Sequence, residues 1–159
     1  MAESVDEAVR AMRIVVGGLI GGLLSFTTLA LIVGPLSPSF DPNVTRWMLI
    51  VVLLLGGGSA TGYFTLRRSL IRSLATRATE LRQRSDASTL IGKEYRGFAV
   101  AGAGLIEGPG LFAAATYLLT GNGLALAAVG IAVGLLFAHL PSAGAMRRLA
   151  EVASRSEGA

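Results

Sequence analysis

The sequence predicts an all-α membrane protein with four transmembrane helices, both termini in the cytoplasm, and glycine-rich, tightly packed helices. Hydrophobic residues make up 52% of the 159 residues and charged residues only 15%, whereas soluble domains average about 25% charged. The chain holds 21 glycines, and small residues let helices approach closely in lipid. Its cations all lie outside the long apolar runs.

Four apolar segments are long enough to cross a bilayer, which takes roughly 20 residues as a helix. They cover about 14–33, 47–66, 97–119 and 123–140, and residues 1–159 form a single transmembrane domain. The connection at 35–46 contains three prolines, and a tight turn follows at 120–123.

Residues 1–35 could be a cleaved signal peptide instead of containing the first span. We favour an uncleaved span, because a signal core has only about 7–15 apolar residues.

The distribution of cations predicts the orientation of the bundle. Segment 67–96 carries eight Lys and Arg residues, Arg10 and Arg13 precede the first span, and Arg147 and Arg148 follow the fourth. Connection 35–46 has a single cation and turn 120–123 has none. Since Lys and Arg stay on the cytoplasmic side, both termini and loop 67–96 are predicted to be cytoplasmic. The predicted location is therefore the bacterial inner membrane.

Loop 67–96 is predicted to begin as a basic amphipathic helix that continues the second span. Leu66, Leu70 and Leu74 recur at helical spacing between arginines, and the helix is predicted to end near residues 85–88. Each cation near an anionic membrane surface contributes about 1 kcal/mol. The predicted contacts with anionic headgroups are Arg67, Arg68, Arg72, Arg77, Arg82 and Arg84. Nucleic acid is not an expected partner, because stretch 67–84 has no aromatic side chains for stacking on bases.

Glycines spaced four residues apart occur in every predicted span, and this spacing places both members of a pair on one helix face. The predicted helix-packing residues are Gly17, Gly18, Gly21, Gly22, Gly58, Gly62, Gly104, Gly108, Gly130 and Gly134. They could serve contacts within one bundle. They could equally serve a homo-oligomer or an unknown membrane partner.

Glu107 is the one acid inside an apolar span, in the stretch GLIEGPGLF. A carboxylate at the bilayer centre is costly, so this acid is expected to be protonated and to face another helix. Pro109 is predicted to kink the helix, since it leaves the carbonyl of Leu105 without its amide partner. Two interpretations remain open. Glu107 either exchanges protons or cations, or it hydrogen-bonds a hydroxyl of a neighbouring span, the candidates being Ser25, Thr27, Thr28, Ser59 and Thr61.

Nothing in the sequence indicates an enzyme. There is no cysteine and only one histidine, His139, which is predicted to be an interfacial anchor. We find no nucleotide-binding loop, no catalytic triad, no paired carboxylates and no metal-ligand spacing. No metal and no cofactor are therefore expected.

The stretch GAGLIEGPGLFAAATYLL at 102–119 resembles the carboxylate helix of the ATP synthase c subunit, a proteolipid. That resemblance implies proton or cation translocation through Glu107. The pattern from IEGPGLF through LLTGN, with a short fourth span, is also similar to small uncharacterised four-span bacterial membrane proteins, which implies no particular activity. The main expectation is a structural or accessory helix bundle that packs with itself or a partner, and ion translocation is the alternative.

Overall fold

The computed structural model describes residues 5–36, 40–76, 87–142 and 144. These residues form four α-helices and no β-strand: α1 (Val5–Val33), α2 (Pro42–Thr76), α3 (Ala87–Thr120) and α4 (Gly123–Ala138). The predicted all-α fold class is thus confirmed for the described part of the chain.

Three of the helices are long and apolar enough to cross a membrane. The qualifying segments are Val9–Val33, Pro42–Ser73 and Tyr95–Thr120. The fourth helix, α4, is apolar but has only 16 residues. At 1.5 Å per residue it is about 24 Å long, which is shorter than a hydrocarbon core of about 30 Å.

Local capping explains where α1 ends and α2 begins. Gly34 has a φ of +72°, and its amide donates to the carbonyl of Ala30 at 3.1 Å, as expected for a left-handed helix C-terminus. Asp41 caps α2 by accepting the amide of Asn43 at 2.8 Å, and Pro42 fits the first helical position. The second helix therefore starts at Pro42, five residues before the apolar span predicted at about 47–66.

A similar pair of signals joins α3 to α4. Gly121 has a φ of +67°, and its amide donates to the carbonyl of Tyr117 at 2.7 Å. The side chain of Asn122 then accepts the amide of Leu124 at 2.9 Å and caps α4. These contacts reverse the chain within two residues, so α4 runs back along α3.

The predicted loop 67–96 is largely helical where the structure describes it. Residues 67–76 belong to α2 and residues 87–96 to α3. Leu70, in the apolar repeat that predicted a continuing helix, is buried. Residues 77–86 lie outside the described part, and so do three of the predicted lipid-contacting arginines, Arg77, Arg82 and Arg84.

The central helix of the bundle is α3, which packs against α1, α2 and α4, while α1 and α2 make at most a marginal contact with each other. Alanines dominate the α3 side of the core, so neighbouring backbones can come close. The core cluster comprises Val16, Ile20, Leu23, Val52, Ala103, Ala113, Ala114, Val129, Ala132 and Leu136. Most of α2 is exposed, including Leu53 and Leu54.

Two long-range hydrogen bonds fix the ends of the bundle. Arg13 Nε donates to the carbonyl of Pro141 at 2.9 Å, which ties the start of α1 to the segment after α4. At the opposite end, the amide of Leu36 donates to the carbonyl of Leu118 at 2.9 Å, which ties the α1–α2 connection to the end of α3. The helices consequently alternate in direction along the bundle.

Candidate functional site

Glu107 lies midway along the part of α3 that could cross a membrane, and its side chain is partly exposed. It lies close to α1, where a Cβ built on Gly22 would be 3.8 Å from its Oε1. Among the described residues, no hydrogen bond or ion pair involves this carboxyl group. The acid is therefore held at the α1–α3 boundary without a polar partner in that part of the chain.

Two of the five hydroxyl groups that could have bonded Glu107 bond their own helix instead. Thr27 Oγ1 donates to the carbonyl of Leu23 at 2.7 Å, and Thr61 Oγ1 donates to the carbonyl of Gly57 at 3.0 Å. Both bonds remain within the residue's own helix, a common arrangement for threonine in apolar helices. Ser59 lines a cavity between α2, α3 and α4. None of these hydroxyls is brought to the carboxyl group.

The predicted packing glycines divide into two groups. A Cβ built on Gly62 would contact Leu105 Cδ1 at 3.4 Å, and Gly22 faces Glu107. The other eight are exposed, and a Cβ on any of them would meet nothing within 4 Å: Gly17, Gly18, Gly21, Gly58, Gly104, Gly108, Gly130 and Gly134. Within the described bundle, these eight open glycines leave room for atoms from outside it.

The closest helix contacts occur at two glycines outside the predicted set. A Cβ on Gly110 would lie 2.9 Å from the Cβ of Ala132 in α4 and 2.9 Å from Leu23 Cδ2 in α1. A Cβ on Gly102 would lie 2.9 Å from His139 Nε2. Four-residue glycine spacing did not identify these positions. Both lie on the alanine-rich side of α3, with Ala99, Ala103 and Ala113, and this alanine-rich composition is the sequence feature that could have identified them.

His139, predicted to be an anchor at the helix end, joins three helices. Its Nε2 lies 3.1 Å from the carbonyl oxygen of Ala99 in α3, and its Nδ1 lies 3.3 Å from Tyr63 Oη in α2. A carbonyl only accepts, so Nε2 carries the hydrogen and, in the neutral ring, Nδ1 accepts from the tyrosine. The ring also contacts Tyr63 edge-on at a centroid distance of 5.3 Å and Phe98 at 5.6 Å.

A largely apolar cavity of about 460 Å³ lies between α2, α3 and α4 and opens to one side of the bundle. Val52 and Ala128 line one end of it, and Tyr63 and His139 line the other. Pro109 and Leu105 form part of the α3 wall. The helix continues through Pro109 to Thr120.

The cations near the helix ends gather at one end of the bundle. Arg10 and Arg13 lie at the start of α1, Arg67, Arg68 and Arg72 near the end of α2, and Arg96 near the start of α3. At the opposite end, the described residues include one acid, Asp41, and one cation, Arg46. The bundle is therefore electrostatically asymmetric from end to end.

No metal site emerges from the described residues, where no group of three or more His, Cys, Asp and Glu side chains converges. Neither a protein-family model, nor a curated protein, nor a solved structure matches this chain. The features of the described chain that bear on function are the position of Glu107, the open glycines, the His139 junction and the cavity.

Proposed function

We propose that the chain is a multi-pass protein of the bacterial inner membrane, with four spans and both termini in the cytoplasm. Three helices have the length and composition to cross a membrane. Large apolar side chains such as Ile32, Leu53 and Ile131 point outward, exposed by 78%, 74% and 65%, which favours a hydrocarbon surrounding. The short α4 crosses as well, because a bilayer can thin locally around a short apolar helix at modest cost.

The orientation follows from the end that carries the cations. Arginines at the start of α1, the end of α2 and the start of α3 share that end, and the positive-inside rule places it in the cytoplasm. There Arg67, Arg68 and Arg72, with Arg77, Arg82 and Arg84 of the adjoining stretch, meet anionic headgroups.

Reporter fusions test this topology. A fusion at residue 159 and fusions inserted within 67–96 are expected to report a cytoplasmic location, because the cations resist translocation. A fusion in the 35–46 connection is the matched control and is expected to report the opposite side. An external C-terminus would contradict the four-span arrangement.

Within that membrane, we infer that the protein is a structural or accessory helix bundle that packs with a second copy of itself or with a membrane partner. The packing surface is here named the Glu107 face and consists of Gly18 and Gly22 of α1 with Gly104, Glu107 and Gly108 of α3. The observation that carries this proposal is the carboxyl group of Glu107, which has no polar partner among the described residues. In hydrocarbon an unsatisfied polar group costs several kcal/mol, and an incoming helix can supply a partner across the exposed glycines. The proposal includes no enzymatic activity and no cofactor.

A second candidate function is proton or cation translocation through Glu107. The same observation favours it, since a carboxyl group without a protein partner is free to exchange a proton or hold an ion. The described residues bring no second acid and no cation beside Glu107 inside the bundle. Packing is therefore the better-supported function.

Substitutions of Glu107 separate the two functions. Glu107→Gln keeps a hydrogen-bonding group of similar size, so the packing function predicts wild-type self-association and wild-type proton permeability in reconstituted vesicles. Glu107→Leu removes the hydrogen bond across the interface, and association is expected to weaken by about 1–2 kcal/mol. Association can be measured by energy transfer between labelled chains.

Two other outcomes would contradict the packing function. A Glu107→Gln protein that folds and associates but loses a proton flux present in wild type establishes translocation instead. If wild type self-associates, a Glu107→Leu protein that matches it in both association and flux shows that the acid serves neither function.

A further inference from the structure

The cavity between α2, α3 and α4 has the dimensions of a binding site for one lipid chain. Its volume of about 460 Å³ lies within the range of roughly 300–1,000 Å³ that is typical of small-molecule sites. Along α2 it extends from Val52 to Tyr63 and along α4 from Ala128 to His139, which corresponds to about 16 Å at 1.5 Å per residue. Half of a hydrocarbon core is about 15 Å. The cavity is thus as long as one leaflet is deep.

The two ends of the cavity differ in chemistry. The walls are apolar for most of their length, but Tyr63 Oη and His139 Nδ1 meet at the end nearest the arginines. Since the tyrosine hydroxyl donates to the ring, its oxygen still has a lone pair that can accept a hydrogen bond. One helical turn beyond Tyr63, on the same face of α2, lies the exposed Arg67. An apolar channel therefore leads to a polar end with a cation beside it.

Exposed apolar side chains of α2 and α4 line part of the cavity. They include Leu53, Phe64 and Ile131, which are exposed by 74%, 58% and 65%. A cavity bordered by such side chains, in helices that cross a bilayer, is accessible to acyl chains and unattractive to water. The positive charge of Arg67 at the polar end and the length of the cavity together favour an anionic lipid of the cytoplasmic leaflet.

We propose that this cavity binds one acyl chain of an anionic phospholipid, with the chain between α2, α3 and α4 and the phosphate beside Arg67. The proposal rests on the membrane placement and orientation given above, and it is independent of the Glu107 face. Bound lipid fills space that would otherwise lack van der Waals contacts and thereby links the exposed α2 to the rest of the bundle.

Photolabelling of the full chain in vesicles tests the proposal. The probe is a phosphatidylglycerol with a diazirine on its acyl chain, and labelled peptides are mapped by mass spectrometry. Label is expected to concentrate on residues 52–64 and 128–139 rather than on exposed residues of α1 such as Ile14 and Ile32. Gly56→Leu adds a side chain to open space in the cavity wall and is expected to lower this label about tenfold.

Gly97→Leu is the matched control, because Gly97 is exposed, has nothing within 4 Å of a built Cβ and does not line the cavity. It is expected to keep the label. Ala128→Leu fills the cavity from the α4 wall and replaces Gly56→Leu should that variant fail to fold. For the headgroup, Arg67→Gln or a phosphatidylcholine probe is expected to reduce the label.

Several results would overturn this inference. Uniform label over α1 and α2 shows only annular lipid, and label that survives both cavity-filling variants places the chain elsewhere. Equal label from both headgroups removes the anionic specificity. Label lost on association with a second chain shows that protein, not lipid, occupies the opening. Self-association of the Gly56→Leu protein, measured in parallel, keeps this test separate from that of the Glu107 face.

Discussion

Replacing Gly110 with leucine is expected to lower the free energy of unfolding of the bundle by about 3 kcal/mol, the upper part of the usual range for overpacking. Even the first added atom, Cβ, would lie 2.9 Å from both the Cβ of Ala132 and Leu23 Cδ2. Leu23 can change rotamer, but a Cβ moves only with its backbone. The helices α3 and α4 must therefore separate, and the alanine-rich core around them loses contacts.

The measurement is denaturant or thermal unfolding of the purified protein in detergent, followed by circular dichroism. Gly97→Leu serves as the control on the same helix, since its position is open and leucine favours helix over glycine by somewhat less than 1 kcal/mol. The control is expected to be as stable as wild type or slightly more so. Equal stability of the two variants would show that α3 and α4 are not in close contact at Gly110.

The helices themselves could be predicted from the sequence, because apolar length and cation placement are local properties. The apolar span predicted at about 47–66 lies within α2, and the Asp41 cap and Pro42 extend the helix beyond this apolar part. The helix at 67–76 was predicted from its leucine repeat, whereas the helical content of 87–96 was not. Polar residues continue a helix without adding to its hydropathy.

The side on which each helix packs was much harder to predict. Four-residue glycine spacing identifies a smooth helix face, but it does not say whether the neighbour on that face belongs to the same chain. In the described bundle the tight contacts fall at Gly102 and Gly110, while eight of the ten predicted glycines are open. The decisive information is the position of Ala132, Leu23 and His139 on other helices, which no local pattern contains.

The candidate site was partly accessible from sequence. An acidic residue within an apolar helix can be recognised from the sequence alone, so Glu107 was a candidate before the structure was known. The His139 junction was not, because its partners Tyr63 and Ala99 are 76 and 40 residues away in sequence. The cavity was also missed, since its walls come from three helices.

Disulfide cross-linking in native membranes tests the Glu107 face most directly. The chain has no cysteine, so a single introduced cysteine is its only thiol. Gly108→Cys places that thiol on the Glu107 face, beside the acid. Gly130→Cys is the matched control, because Gly130 is also an exposed, open glycine but lies on α4, outside the Glu107 face.

Mild oxidation is expected to convert the Gly108→Cys protein to a covalent product, while the Gly130→Cys protein stays monomeric. A product of twice the chain mass identifies a second copy as the partner, and a product of another mass identifies a different membrane protein. Gly108→Cys protein that stays monomeric, or equal cross-linking of the two variants, would contradict a packing surface centred on Glu107.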